Sequence, residues 1–311
     1  MATAKLPGRV GWIGAGRMGS ALAARLIEAG ADLSVYNRTR AKAEHLAEKG
    51  ATIVDAPADL ADRDVVFTMV GGAQDVLDVT FGPDGLLSGD GLGPKVLVDS
   101  TTVDSATSSE LTRRAADHGV PVLAAPVSGN PSVVRAGKLT CVVSGPAEAW
   151  ALARPYLEQF GRKATYVGEG DAARVVKIGH NLLLGAVAQS LAEILVLAEA
   201  AGVSRADFME FLNDSVMGST FTRYKTPALV NLDFRPTFTW HLLRKDFELG
   251  LAEGRARDVP LPLAALVHSI VMSGIGRGLG DQDFAALVQL EAEAAGRTIE
   301  PENRDVGDGL S

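Results

Sequence analysis

Lys177, His180 and Asn181 stand together in an otherwise apolar run, Lys177-Ile-Gly-His-Asn181, followed by Leu182, Leu183 and Leu184. Lysine and asparagine at i and i+4 share one face of a helix, and the histidine at i+3 lies beside them. A lysine bordered by leucines is partly desolvated, which favours its neutral form and lowers its pKa toward a useful range for proton transfer. By pattern alone, the same residues also read as a surface lysine with an amide beside it. A second candidate set follows the apolar run Val122–Val127. There Ser128 and Gly129 offer a hydroxyl and a backbone N–H to a carboxylate or carbonyl oxygen, or else form an ordinary Ser-Gly turn. Asp99-Ser-Thr-Thr102 ends another strand in the same way, and Asp104 is placed to cap the helix behind it. Lys245-Asp246, taken alone, reads as a solvated pair at the start of a later helix. His45, His118, His180, His241 and His268 are scattered. No H-x-x-H, C-x-x-C or G-x-S-x-G spacing exists, so neither a metal site nor a nucleophile elbow is expected.

The phosphate-binding signal lies near the start of the chain. Val10 to Ile13 is a short apolar run that meets Gly14-Ala15-Gly16-Arg17-Met18-Gly19, and an amphipathic segment from Met18 to Ala29 stops at Gly30. Strand, tight turn and helix in that order are the context in which a G-x-G-x-x-G pattern binds a dinucleotide. Gly14 permits the turn, Gly16 lets backbone approach a pyrophosphate, and Gly19 lets helix and strand pack closely. The helix N-terminus supplies N–H groups and partial positive charge. The next strand candidate ends at Asn37-Arg38-Thr39-Arg40, with Lys42 nearby. NAD sites place an acid there for the ribose 2′-hydroxyl. Asn37 removes that repelling charge, Arg38 can pair with a 2′-phosphate and stack on adenine, and Thr39 can donate a hydrogen bond. The expected cofactor is therefore NADP.

Alternating elements must position these groups. Strand candidates lie at 9–13, 32–37, 51–54, 64–70, 95–99, 121–125, 139–143 and 164–167, with helical stretches at 18–29, 40–49, 73–79, 104–118 and 146–159. That alternation predicts an α/β, mostly parallel, doubly wound Rossmann-type sheet. Met69 and Val70 close one strand before Gly71-Gly72, at the carboxyl edge where ligands bind in such sheets. Beyond Gly170 the strand signal stops. A helical pattern runs from Asp171 to Ala201 with Gly202 as its stop, and further helices are expected at 204–213, 241–257, 262–277 and 281–296. The expected organisation is a dinucleotide-binding domain over 1–168 and an all-α domain built on a long interdomain helix over 169–297. The polar stretch 298–311 is expected to be a disordered tail.

With 311 residues and 47% hydrophobic content, the chain can bury two cores of ordinary size. A net charge of −8 argues against nucleic acid and against an anionic membrane surface. The one cysteine, Cys141, fits a reducing, cytoplasmic setting, and residues 1–8 lack the apolar core of a signal peptide. Gln189, Glu193 and Glu199 interrupt the apolar 182–201 stretch, which reads as a buried helix and not as a membrane span. Its apolar surface exceeds what one small helical domain covers, so a homodimer or higher homo-oligomer is expected.

Taken together and in order, these motifs resemble those of the β-hydroxyacid dehydrogenases, the group that includes 3-hydroxyisobutyrate dehydrogenase, tartronate semialdehyde reductase and 6-phosphogluconate dehydrogenase. The resemblance covers roughly residues 8 to 295. Gly11 to Gly19 looks like the family's cofactor loop, and Asn37-Arg38-Thr39 like its NADP-type signature. Ala125-Pro-Val-Ser-Gly129 looks like its substrate segment, Lys177-x-x-x-Asn181 like its catalytic motif, and Lys245-Asp246 like a late cofactor-side pair. The resemblance implies Lys177 as general acid/base and Asn181 as the residue that orients substrate. It also implies Ser128 and Gly129 as holders of the substrate carboxylate, and pairing through the helical domains. Thr102 is expected near the nicotinamide, and Asn130, His180, Phe238, Trp240 and His241 around the substrate.

Several positions depart from the family pattern. Asn130-Pro131 replaces a second glycine after Ser-Gly, Thr101 replaces a serine, and Val70-Gly71-Gly72 stands where a proline is common. His180 is similar to the sugar-acid branch, but apolar Leu184 stands where that branch carries a glutamate. The expected substrate is thus a small β-hydroxy acid or its semialdehyde. Two other readings share the cofactor loop: an imine reductase acting on C=N, which usually lacks the lysine, and a non-catalytic NADP-binding interaction module, which has lost it.

Overall fold

The structure is a computed structural model that describes residues 6–89 and 93–310. The chain divides into two units, Met1–Lys177 and Ile178–Ser311. The first opens with β1 (Arg9–Ile13), α1 (Arg17–Glu28), β2 (Asp32–Tyr36), α2 (Glu44–Ala47), β3 (Thr52–Ile53), β4 (Val65–Thr68), α3 (Ala73–Phe81), β5 (Val96–Asp99), α4 (Ser105–Asp117) and β6 (Val122–Ala124). These strands form a six-stranded sheet in the order β3-β2-β1-β4-β5-β6, parallel throughout. β4 and β5 are buried at every position, as their continuous apolar runs require of strands covered on both faces. The strand order reverses between β1 and β4, and such a switch point opens a crevice at the carboxyl ends of the strands.

The last strands do not extend this sheet. β7 (Val127–Ser128), α5 (Pro131–Arg135), β8 (Thr140–Val143), α6 (Ala147–Leu157) and β9 (Lys163–Tyr166) follow, and β7-β8-β9 form a sheet of their own. β7 pairs antiparallel with β8, and β8 pairs parallel with β9. Pro126 has no N–H with which to prolong the β6 ladder, while its carbonyl accepts from Val142 N at 3.1 Å, so the chain turns there into the second sheet. The two residues of β7 and the five of α5 are too short to leave a periodic signal in the sequence.

α7 (Ala172–Ala200) runs 29 residues and is the element on which the unit boundary falls. Its length and composition would allow it to cross a membrane. In the second unit its Ala188, Leu191, Ala192, Leu195 and Val196 join the core, while Leu183, Ile194 and Leu197 are exposed. The remaining helices are α8 (Arg205–Asp214), α9 (Thr220–Asn231), α10 (Trp240–Ala256), α11 (Pro262–Gly276) and α12 (Leu287–Ala294). Glycines let these helices approach one another: a Cβ on Gly274 would lie 2.2 Å from the Trp240 ring, and one on Gly185 2.3 Å from Phe247. α9 was not expected, because Thr-Arg-Tyr-Lys-Thr and Pro227 give it no apolar stripe. Its start is set by a capping box between Ser219 and Thr222.

The segment after Gly296 is a correction to the disorder expected there. Glu302 accepts hydrogen bonds from the Arg205 and Ala206 amides at 2.6 and 3.0 Å, which caps α8, and its own N–H donates to the Val230 carbonyl at 3.2 Å. Buried Arg205 adds a bond to the Glu300 carbonyl at 2.5 Å, and Asn231 bonds the Arg304 backbone in both directions. A polar composition hid this because much of the anchoring is by capping and charge, with Ile299 and Val306 packing against the core. Ser311 lies outside the described residues.

The β1–α1 turn is a close crossing in the first unit. Gly14 has φ +104°, and a Cβ there would lie 2.1 Å from the Met69 carbonyl oxygen; a Cβ on Gly19 would lie 1.9 Å from that of Gly14. Gly16 has φ −70°, and a Cβ there meets nothing within 4 Å. Gly14→Ala and Gly19→Ala are therefore expected to destabilise by about 3 kcal/mol or more, because backbone must shift. Gly16→Ala is expected to stay within about 0.5 kcal/mol of native. Urea unfolding of the three variants checks this; equal losses for all three would contradict it.

Candidate cofactor and substrate site

Hydrogen bonds hold the glycine loop in place. Gly14 N donates to the Tyr36 carbonyl at 2.9 Å, Met69 N to that of Ile13 at 2.9 Å, and the buried Trp12 Nε1 to that of Gly14 at 2.9 Å. Gly16 is the N-cap of α1 and provides no side-chain acceptor for the first helical N–H groups. An N-terminus without a cap, next to an exposed glycine with open space beside its Cα, fits a pyrophosphate. Arg17 is exposed and Met18 half-buried on the first turn of α1, while Ala15 is buried.

Asn37 does more than omit an acid. Its Oδ1 accepts from Ala15 N at 2.8 Å and its Nδ2 donates to the Thr39 carbonyl at 2.8 Å, so it clamps the glycine loop to the end of β2. Arg38 and Thr39 are exposed just beyond it. The Arg38 guanidinium, 84% exposed, pairs with Asp75 at 3.1 Å. An exposed pair of this kind is worth about 0–1 kcal/mol, so it leaves the guanidinium able to exchange partners for an incoming phosphate. Asp75 carries no signal in the sequence, since it lies in the first turn of a different helix, α3.

Met69 and Val70 follow β4 and are half-buried; Val70 N donates to Thr101 Oγ1 at 3.2 Å. That bond ties the β4 and β5 loops together and places half-buried Thr102 beside them in sequence. Ser128 ends β7 half-buried, and Gly129 is exposed with φ +141°, a conformation that favours glycine. Asn130 is buried as the N-cap of α5, with Oδ1 accepting from Val133 N at 3.0 Å. Its side chain is thus committed to the helix cap, and Pro131 at the first helical position suits that role. Asn130, expected around the substrate, here caps α5.

On α7, Lys177 is half-buried, His180 exposed, and Asn181 only 2% exposed. Asn181 and His180 share a contact of 2.9 Å between Oδ1 and Nδ1, and Asn181 Nδ2 donates to Asp246 on α10. Asp246 is itself buried, which corrects its reading as half of a solvated pair; Lys245 is half-buried. Phe238 is half-buried, packs edge-on to Phe284 at 5.8 Å, and its N–H donates to Asp283 at 3.2 Å. His241 is exposed. Trp240 is a correction. It is 0% exposed inside the helical core and spends its Nε1–H on the Asp283 carbonyl at 3.1 Å, so it supports the neighbouring segment and does not line a binding surface. Asp283 organises that segment: it pairs with buried Lys225 at 2.5 Å and accepts from Thr237 N at 2.9 Å. Burial pushes the Lys225 pKa down, and Lys225 and the other donors outweigh burial to hold the Asp283 carboxyl below its usual range.

Sequence reasoning missed Arg174, which lies three residues before Lys177. Its buried guanidinium meets Asp99 Oδ2 and the Thr101 carbonyl, both at 2.7 Å. An arginine in an apolar helical run, matched by an aspartate at a strand end, was the available signal. Among the described residues no group of His, Cys, Asp and Glu could hold a metal ion.

Comparison with known proteins identifies the family. Residues 9–168 match the model for the NAD-binding domain of 6-phosphogluconate dehydrogenase. Residues 170–291 match the model described as the NAD-binding domain of NADP-dependent 3-hydroxyisobutyrate dehydrogenase. An uncharacterized oxidoreductase of Bacillus subtilis, YfjR, is 35% identical over 90% of this chain and 99% of its own. The 2-(hydroxymethyl)glutarate dehydrogenase of Eubacterium barkeri is 31% identical over 94% of this chain and 97% of its own. Among solved structures, a 3-hydroxyisobutyrate dehydrogenase from Salmonella typhimurium superposes with a TM-score of 0.81. It is 25% identical, with 91% of this chain and 100% of that one covered. Both family models and the relatives point to one group, and this chain belongs to the β-hydroxyacid dehydrogenase family of oxidoreductases.

Proposed function

We propose that the protein is an NADP-dependent dehydrogenase that interconverts a small β-hydroxy acid and its semialdehyde or keto acid. The observation that carries this reading is half-buried Lys177 one helical turn before buried Asn181 on a single continuous helix. Two relatives support the substrate class by their names, since 2-(hydroxymethyl)glutarate and 3-hydroxyisobutyrate both carry a hydroxyl on the carbon β to a carboxylate. The nicotinamide, when bound, accepts or supplies the hydride. Gly14, Gly16 and the first turn of α1 hold the pyrophosphate, and Asn37, Arg38 and Thr39 receive the 2′-phosphate. Ser128 and Gly129 hold the substrate carboxylate. Asn181, its amide oriented by Asp246, fixes the reacting oxygen. In oxidation neutral Lys177 takes the hydroxyl proton at Nζ; in reduction its ammonium returns that proton to the forming alkoxide.

The cofactor preference follows from charge. An acid at position 37 would repel a 2′-phosphate, and the Arg38 guanidinium supplies its countercharge. Efficiency with NADPH is expected to exceed that with NADH, and Asn37→Asp with Arg38→Leu is expected to reverse the order. Equal or better native efficiency with NADH would contradict this part of the reading.

We also propose a homodimer formed through the exposed apolar face of α7 at Leu183, Ile194 and Leu197. Light scattering at micromolar concentration is expected to give twice the chain mass of 32.5 kDa. A monomer there would rule the dimer out.

The decisive test is Lys177→Ala in a screen of small 3-hydroxy acids with NADP⁺ and of the matching semialdehydes with NADPH, run beside imines. Turnover is expected to fall about 10²–10⁴-fold while NADPH affinity, read by fluorescence, stays near native. Lys177→Arg is expected not to rescue it, because arginine keeps its proton at working pH. Retention of more than about a tenth of native turnover would sink the acid/base assignment.

A further inference from the structure

Arg174 is a buried charged group of the first unit whose burial the reaction chemistry leaves unexplained. Its side chain is 2% exposed and that of its partner Asp99 is 0% exposed. The guanidinium spends each edge on a different element. Nη2 donates to Asp99 Oδ2 at the end of β5, at 2.7 Å, and Nη1 to the Thr101 carbonyl in the loop that follows, at 2.7 Å. Nε donates to Ser108 Oγ on α4 at 2.5 Å, with Asp171 Oδ1 3.1 Å away. The acceptors are fixed in turn. Asp99 Oδ1 takes bonds from Thr68 Oγ1 at 2.6 Å and Thr101 N at 3.1 Å, and Ser108 donates its hydroxyl hydrogen to Asp171 at 2.7 Å. A further bond, from Ala173 N to Ser144 Oγ at 3.0 Å, also holds the first turn of α7.

Stability alone does not account for such a network. Apolar residues of similar volume often serve as well or better than a buried ion pair. What a guanidinium adds is direction, because its planar fork donates hydrogen bonds at fixed angles. The two segments it joins are the two that matter for chemistry. Thr102 follows the gripped Thr101 carbonyl directly, and Lys177 lies three residues beyond Arg174, one turn along the same helix. A lysine stem of four carbons loses considerable rotamer freedom when it is ordered. Its working position therefore depends on how firmly the turn beneath it is held, and a misplacement of about 1 Å can cost 10²-fold in rate.

We infer that Arg174, paired with Asp99, is a positioning residue that fixes the first turn of α7 to the Thr101–Thr102 loop and so sets the place from which Lys177 exchanges its proton. This rests on the reading of Lys177 as acid/base. Arg174→Lys keeps the charge beside Asp99 but loses the fork, so it is the variant to use first; Ser108→Ala removes one acceptor and perturbs the core least. Each is combined with native Lys177 and with Lys177→Ala. Three quantities are read: kcat on the substrate selected by the screen above, NADPH affinity by fluorescence, and hydrogen exchange of the peptide spanning 171–178.

Arg174→Lys is expected to lower kcat about 10–100-fold, leave NADPH affinity within about threefold, and speed exchange in 171–178 while the β1 and β4 peptides stay protected. In the Lys177→Ala background the same change is expected to cost nothing further, because the two residues act as one unit. Equal fold-losses in both backgrounds, or native kcat despite faster exchange, would overturn the inference. Native turnover of Lys177→Ala by itself would remove the acid/base reading, and this inference with it. The exchange data would then still report, independently of activity, whether Arg174 holds the turn.

Discussion

The contact between Gly19 and the carbonyl of Gly14 constrains everything that follows in the first unit. A methyl group at Gly19 would stand 1.9 Å from that oxygen, so only glycine allows α1 to leave the sheet at this distance. With α1 so close, its uncapped N-terminus lies at the carboxyl edge of β1, beside the reversal of strand order between β1 and β4. Asn37 then reinforces the arrangement from β2 by accepting the Ala15 N–H. The same residue thus omits the charge that would repel a 2′-phosphate and holds the glycine loop in place. This double duty explains why an amide, which keeps a donor for the Thr39 carbonyl, suits the position better than a hydroxyl or an aliphatic side chain.

Polar groups at depth organise the rest of each unit. In the first, the Arg174 fork draws β5, α4 and the head of α7 together. In the second, Asp283 gathers Lys225, Thr237, Phe238 and Ala285, and Arg205 gathers Glu199, Glu302 and three backbone carbonyls. Breaking one partner of a buried pair leaves an uncompensated charge, at a cost of about 3–5 kcal/mol. These clusters therefore set geometry firmly even where they add little net stability. Two of the three lie next to residues assigned to the site, Lys177 and Phe238, and the third secures the chain's last segment.

Much of this was legible in the sequence because it depends on local pattern. Strand, glycine turn and helix around Gly14–Gly19, the Asn37-Arg38-Thr39 end of β2 and the long run of α7 all announce themselves within a window of a few residues. What was not legible depends on partners far apart in the chain. Asp246 read as a surface charge until α10 brought it to Asn181. Trp240 read as a pocket wall, but Gly274, 34 positions on, makes room for its ring inside the core. α9 has no apolar stripe because its inward positions include Lys225 and two threonines satisfied by hydrogen bonds. The final segment reads as polar because Glu302 fastens it as a helix cap, with Ile299 and Val306 as its apolar contacts to the core.

Family membership gives the reaction type, and the proposed function adds to it a 2′-phosphate-bearing cofactor, a carboxylate substrate and a lysine that moves the proton. A crystal structure of the protein with NADP⁺ and a small 3-hydroxy acid tests that account most directly. The account predicts Lys177 Nζ within hydrogen-bond distance of the β-hydroxyl, Ser128 and Gly129 on the carboxylate, and the Arg38 guanidinium on the 2′-phosphate. A ternary complex in which Lys177 points away from the hydroxyl, or in which the carboxylate is held elsewhere, would contradict it.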